Sequence, residues 1–214
     1  VIDTERAKLI QKLKGNQLTT LPSPHSDSNK ISLIVDIFGY RKLQHELHYD
    51  NPRADTIQPY VEWLDSTLIL TFDLVRYRKG DIVTLYNVYF YNDAALMLPE
   101  SKYELNGLLQ LMQENPKYRI RLHGHSNGNY HGKIIVPSTD QNFFSLAADV
   151  KETIGSAREL SEKRAQIIKD FLVSNGIDGT HIVIKGWGGK RPLYDKKSVN
   201  AKKNVRVEVE ILED

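Results

Sequence analysis

The chain has no cysteine, which excludes disulfides, thiolate metal sites, thiol nucleophiles and a lipid-modified cysteine within these residues. It also lacks an apolar run long enough to cross a bilayer as a helix, and it lacks a signal peptide. Net charge is scarce: 29 Lys+Arg against 27 Asp+Glu leave a formal +2, which argues against a dedicated nucleic-acid binder. Repeats and low-complexity tracts are missing as well. What is present is ordinary for a folded protein, 40% hydrophobic and 26% charged. At 214 residues the chain is long enough for one large or two small domains, each with its own core. Its start at Val1 rather than Met points to a piece of a longer protein.

Periodicity and turn signals divide the chain in three. Residues 1–30 read as a short helix (Ala7, Leu9, Ile10 and Leu13 apolar, Gly15 as the stop) and a polar, turn-rich linker. Residues 31–80 read as a small β-sandwich-like domain: Ile31, Leu33, Val35 and Ile37 alternate, and Val61–Leu64 and Thr67–Tyr77 follow as strands. From 81 to 214 strands and helices alternate. Ile82–Tyr91 reads as a strand, and Ser101 with Glu104 as the capping box of a helix that ends before Pro116. Tyr118, Ile120 and Leu122 then alternate with Arg119, Arg121 and His123, as in a half-buried strand. Ser156 and Glu159 form a second capping box, and Asn175-Gly176 supplies the matching stop. A strand over His181–Lys185 and a last one carrying Val205, Val207, Val209 and Ile211 complete the pattern. The expected fold is α/β: a β-α-β-α-β-β mixed sheet with both helices on one face and an insertion at about 129–155.

Several constellations could carry chemistry. Arg164 falls on the apolar stripe of the second helix, with Leu160, Ile167, Ile168, Phe171 and Leu172. A guanidinium there either snorkels to water at the stripe's edge or is paired in the interior, because an unpaired buried charge is too costly. Gly124-His125-Ser126-Asn127-Gly128 is a literal Gly-x-Ser-x-Gly, but a hydrolase elbow needs a helix directly after the serine, and Asn129-Tyr130-His131-Gly132 does not read as one. His123, His125 and His131 have a spacing that could gather a divalent metal. Lys185–Lys203 holds seven basic residues against Asp195 alone, with Trp187 and Tyr194 interleaved. Such a run is either a solvated loop or a contact for an anionic partner.

Five segments in order resemble the OmpA-like C-terminal domain family (OmpA, Pal and MotB). They are Ile120–Asn127 with its Gly-His-Ser-Asn ending, Leu160-Ser161-x-x-Arg164-Ala165, Asn175-Gly176-Ile177, Ile184–Gly189 followed by Pro192, and Asn204–Ile211. The match covers roughly residues 85 to 214, and the wording is most like a Bacteroidetes-type branch in which a small β-domain precedes the OmpA-like part. The resemblance implies a non-catalytic, cofactor-free periplasmic module that binds the peptidoglycan peptide stem and tethers an outer-membrane protein or complex to the cell wall. It implies that Arg164 forks onto the carboxylate of the stem diaminopimelate while an aspartate holds its ammonium. That aspartate is Asn127 in this chain, and a further asparagine expected ahead of Leu-Ser is Ala157. Losing the charge of one such contact is worth about 1 to 2 kcal/mol. The candidate binding residues are therefore Arg164, Asn127, Ser126 and Arg206, the last structural or at the groove edge. The insertion is either a surface loop or a lid whose Asp140, Asp149 or Glu152 replaces the missing carboxylate. Two alternatives stand beside this reading: an OmpA-like protein-interaction domain of an outer-membrane complex with little or no peptidoglycan affinity, and a serine hydrolase using Ser126.

Overall fold

In a computed structural model the chain forms two units, Val1–Arg76 and Tyr77–Asp214. The structure describes residues 1–138, 142–146 and 149–214.

The first unit is β-rich. Strands β1 (Ile2–Asp3), β2 (Lys8–Leu9), β3 (Lys30–Val35) and β4 (Leu43–His48) form one sheet in the order β2-β1-β3-β4. A hairpin of β5 (Val61–Leu64) and β6 (Thr67–Leu70) adds Val61, Leu68 and Leu70 to the core of Ile31, Leu33 and Leu47. The expected N-terminal helix is not formed. Ala7 takes a left-handed φ of 50°, which turns the chain back so that β1 pairs with β2 on one side and β3 on the other. Nor are residues 17–30 a free linker. Leu21 packs on the core, and the buried Asp3 carboxylate accepts from the His25 and Arg6 backbone N–H groups. Polar, turn-rich composition marked the turns correctly and hid the buried carboxylate that organises them.

The second unit is mixed α+β. Its elements are β7 (Ile82–Thr84), α1 (Lys102–Glu114), β8 (Arg119–His125), β9 (His131–Pro137), β10 (Val150–Ser156), α2 (Ala157–Ser174), β11 (Ile182–Gly186) and β12 (Arg206–Glu213). The main sheet runs β11-β8-β12-β7, with β11 parallel to β8 and the other pairs antiparallel. Ile120, Leu122, Val207, Val209 and Ile211 are buried on one face, as the alternation predicts. The capping box of α2 forms: Glu159 N–H donates to Ser156 Oγ, and Glu159 Oε2 accepts from Ser156 N–H. Gly176, at φ 93°, ends the helix.

Two expectations are corrected here. The strand near residue 82 stops at Thr84 rather than Tyr91. Ser101 does not cap α1, because a 3-10 turn over Pro99–Ser101 leads straight into the helix and the hydroxyl binds Tyr89 instead, accepting from its N–H and donating to its carbonyl.

Helix α2 lies so close to the sheet that two strand positions must be glycine. A Cβ on Gly124 would sit 1.8 Å from the Ser161 carbonyl oxygen, and one on Gly186 would sit 2.6 Å from that of Arg158. The Ser161 hydroxyl donates to Arg158 O and accepts the Gly188 N–H at 2.9 Å, which fastens the loop after β11 to the helix.

Candidate functional site

Arg164 is interior, with only 5% of its surface exposed, so the snorkelling alternative fails. The apolar stripe of α2 aims it at residues 90–94. There its Nε–H donates to Ala94 O at 2.9 Å, its Nη2–H donates to Tyr91 O at 3.2 Å, and its guanidinium carbon lies 5.0 Å from the centre of the Phe90 ring. Among the described residues these two carbonyls are the hydrogen-bond acceptors of the guanidinium. Burial pushes its pKa down to about 10, and Tyr130 and Asp93 work in the opposite direction, so the group stays charged at neutral pH.

The insertion builds this arrangement. Strands β9 and β10 pair antiparallel from His131↔Ser156 to Pro137↔Val150, and β9 then grips the 93–97 segment. Ile135 N–H donates to Asp93 O at 2.7 Å and Ala95 N–H to Ile135 O at 2.8 Å, while Met97 N–H reaches Phe143 O. Phe143 and Phe144 both pack edge-on against Phe171 of α2. The insert is thus packed on α2 and on residues 93–97 and is not an idle loop. Glu152 pairs with Lys133 inside the hairpin, Asp149 turns the chain between strands, and Asp140 lies outside the described residues. Its contribution is backbone: it holds in place the carbonyls that receive Arg164. Among the described residues the carboxylate whose charge raises the Arg164 pKa against burial is Asp93, exposed at a left-handed φ of 51°, a residue that sequence reasoning passed over.

Asn127, Ser126 and Arg206 belong to a second cluster. Asn127 Oδ1 accepts from Asn204 Nδ2 at 3.0 Å, and Asn127 Nδ2 donates to Lys196 O at 3.3 Å. Asn204 is completely buried; its Oδ1 accepts the Leu193 and Tyr194 N–H groups. Ser126 is buried and donates to Gly128 O, and β9 rather than a helix follows. That removes the hydrolase elbow, which needs an exposed serine at a helix start. Arg206 is buried, paired with Glu208 at 2.7 Å, and donates to the Asn204 and Arg191 carbonyls. A cleft of about 540 Å³ lies between Asn127–Asn129 and Gly189–Lys196. No hydrogen bond joins Asn127 to Arg164. The two are linked through one loop: Asn129 accepts the Gly189 N–H, and Tyr130 O accepts the Ala157 N–H.

The strand-end histidines have structural partners. Indole N–H can only donate, so Trp187 Nε1–H donates to His123 Nδ1 at 2.9 Å, and His123 is the Nε2–H tautomer that donates to Glu210 at 2.8 Å. Burial lowers the His123 pKa, against the raising effect of Glu210. His125 faces a separate carboxylate, Glu208. Among the described residues no three His, Asp or Glu side chains are placed to share a metal ion.

The OmpA family matches residues 89–206, and the chain belongs to that family. It is 26% identical over 121 residues to the peptidoglycan-binding protein ArfA of Mycobacterium tuberculosis, covering 56% of this chain and 30% of that protein. It is 42% identical over 55 residues to outer membrane protein A of Bordetella avium, covering 25% of this chain and 28% of that protein. The chain thus spans under a third of the length of these relatives. Among solved structures, the periplasmic domain of Helicobacter pylori MotB is similar at 17% identity, with a TM-score of 0.46, over 72% of this chain and 88% of that one.

Proposed function

We propose that this OmpA-family chain is a non-catalytic peptidoglycan-binding module that works in the periplasm and tethers an outer-membrane protein or complex to the cell wall. The ligand is the peptide stem, engaged at the amino-acid head group of its diaminopimelate. The observation that carries the reading is a buried Arg164, charged at neutral pH and held by two backbone carbonyls, whose charge is favoured by the exposed carboxylate of Asp93. A fixed cation next to an anion matches a zwitterion, the carboxylate meeting Arg164 and the ammonium meeting Asp93. Asp93 then supplies the negative charge that the family's aspartate, here Asn127, does not. Asn127, Ser126 and Arg206 support the neighbouring loops and do not touch the ligand.

The test is co-sedimentation of the full chain with purified sacculi, competed with free diaminopimelate. Retention in the pellet and its release by diaminopimelate, but not by lysine at equal concentration, are expected. A second reading rests on the engagement of Asn127 within the fold and on Ala157: an OmpA-like domain that binds a protein of an outer-membrane complex. A folded chain left wholly in the supernatant would favour it.

A further inference from the structure

The formal charge of +2 conceals an uneven distribution. Residues 185–203 hold seven of the 29 basic side chains and one of the 27 acidic ones, so this segment is +6 and everything else sums to −4. At its centre Lys196-Lys197-Ser198-Val199-Asn200-Ala201-Lys202-Lys203 places an apolar side chain between two lysine pairs. Val199 is 93% exposed, and Leu193 and Tyr194 nearby are also exposed.

This loop is not slack. Lys197 N–H binds the Asp195 carboxylate, Ser198 N–H binds Asp195 O, Ala201 N–H binds Ser198 O, and Lys203 N–H binds Asn200 O. Asn204 and Asn127 both hold the start of the turn, donating to the Tyr194 and Lys196 carbonyls. The backbone is organised so that Val199 stands in water. Among the described residues none of Lys190, Lys196, Lys197, Lys202 and Lys203 has an ion-pair partner, while Lys203 Nζ lies 5.6 Å from the centre of the Tyr194 ring; the Asp195 carboxylate accepts the Lys197 N–H.

We infer that the Lys190–Lys203 loop is a docking surface for an anionic phospholipid membrane, with Val199 dipping below the phosphates that Lys196, Lys197, Lys202 and Lys203 meet. Unpaired lysines alone would suit any anion. The apolar apex held rigidly between two lysine pairs is what favours a lipid interface, where apolar tips enter the acyl boundary while cations stay at the headgroups. This surface is separate from the Arg164 site and serves a different ligand.

The experiment is vesicle co-sedimentation of the full chain at low salt, using phosphatidylcholine vesicles with and without 30% phosphatidylglycerol. Binding to the anionic vesicles only is expected, weakening as salt is added. Each lysine replaced costs about five-fold in partitioning, so Lys202→Gln with Lys203→Gln lowers it by roughly 25-fold. Val199→Asp lowers anionic-vesicle binding at least as much, and neither variant changes sacculus binding or the unfolding midpoint. Equal binding to neutral vesicles, no binding to anionic ones, or unchanged binding by Val199→Asp each overturns the inference. So does retention on immobilised polyglutamate without any vesicle binding, which would assign the loop to an acidic protein.

Discussion

Arg164 donates its Nε–H to the carbonyl of Ala94, 2.9 Å away and 70 residues earlier in the chain. That bond joins the signature helix to a segment without regular structure, and strand β9 of the insertion keeps the acceptor in place. The β9–β10 hairpin is thus part of the wall of the candidate site.

Arg164→Lys should therefore fail in two ways. A lysine ammonium cannot satisfy both the Ala94 and Tyr91 carbonyls while also meeting a ligand carboxylate. Loss of about 1 to 3 kcal/mol in urea unfolding is expected, because a buried carbonyl is left unpaired. Sacculus binding should fall with it. Arg164→Ala should be at least as destabilising, because both carbonyls are then left unpaired, at about 1 to 3 kcal/mol each.

Asn127→Asp introduces the aspartate that the family resemblance implies, yet a gain in binding is not expected. The carboxylate would still accept from Asn204 but could not donate to Lys196 O, and it would set two oxygens against each other. The variant should lose about 1 to 2 kcal/mol of stability by denaturant titration. Tighter sacculus binding at unchanged stability would show that Asn127 contacts the ligand after all.

Gly124→Ala tests the contact between α2 and the sheet. Its Cβ would meet the Ser161 carbonyl at 1.8 Å, and backbone on both sides leaves no room to relax. A loss of more than about 3 kcal/mol, or failure to fold, is the expected outcome by circular dichroism.

Acid should weaken the second unit in two windows. His123 is held neutral, so as pH falls through about 6.5 the unfolded chain takes up its proton first and stability declines. Glu208 behaves differently: the His125 hydrogen bond, joined by Arg206, holds its pKa down to about 2. Its contribution is complete above about 4.5 and is lost as pH falls from there toward 2. Urea midpoints measured from pH 7.5 to 3 should fall through both windows. His123→Gln should flatten the upper one and Glu208→Gln the lower.

Much of the second unit was legible because its signals are local. Leu160, Ile167, Ile168 and Phe171 repeat at helical spacing, Ser156 and Glu159 cap reciprocally, and Ile120 and Leu122 alternate with Arg121 and His123. What stayed hidden depends on contacts between distant residues. Nothing around Ala7 announces a left-handed turn, and nothing around Asp3 announces a buried carboxylate. Ser101 and Glu104 have capping-box spacing, but Tyr89 competes for the hydroxyl and wins. At the candidate site Arg164 was found as a charge on an apolar stripe. Asp93 was missed because its relation to Arg164 exists only once β9 has clamped the loop between them. Asn127 was read as facing a ligand, and it faces Asn204 and Lys196.

In the proposed function Asp93 supplies the negative half of a zwitterion site completed by Arg164. Calorimetric titration of the full chain with a soluble stem peptide containing diaminopimelate, wild type against Asp93→Asn, tests it most directly. Asparagine tolerates the left-handed backbone at this position, so the fold is kept while the charge is removed. The account predicts an affinity about tenfold weaker, equivalent to about 1.4 kcal/mol, at an unchanged unfolding midpoint. Equal affinity in the two proteins would contradict it.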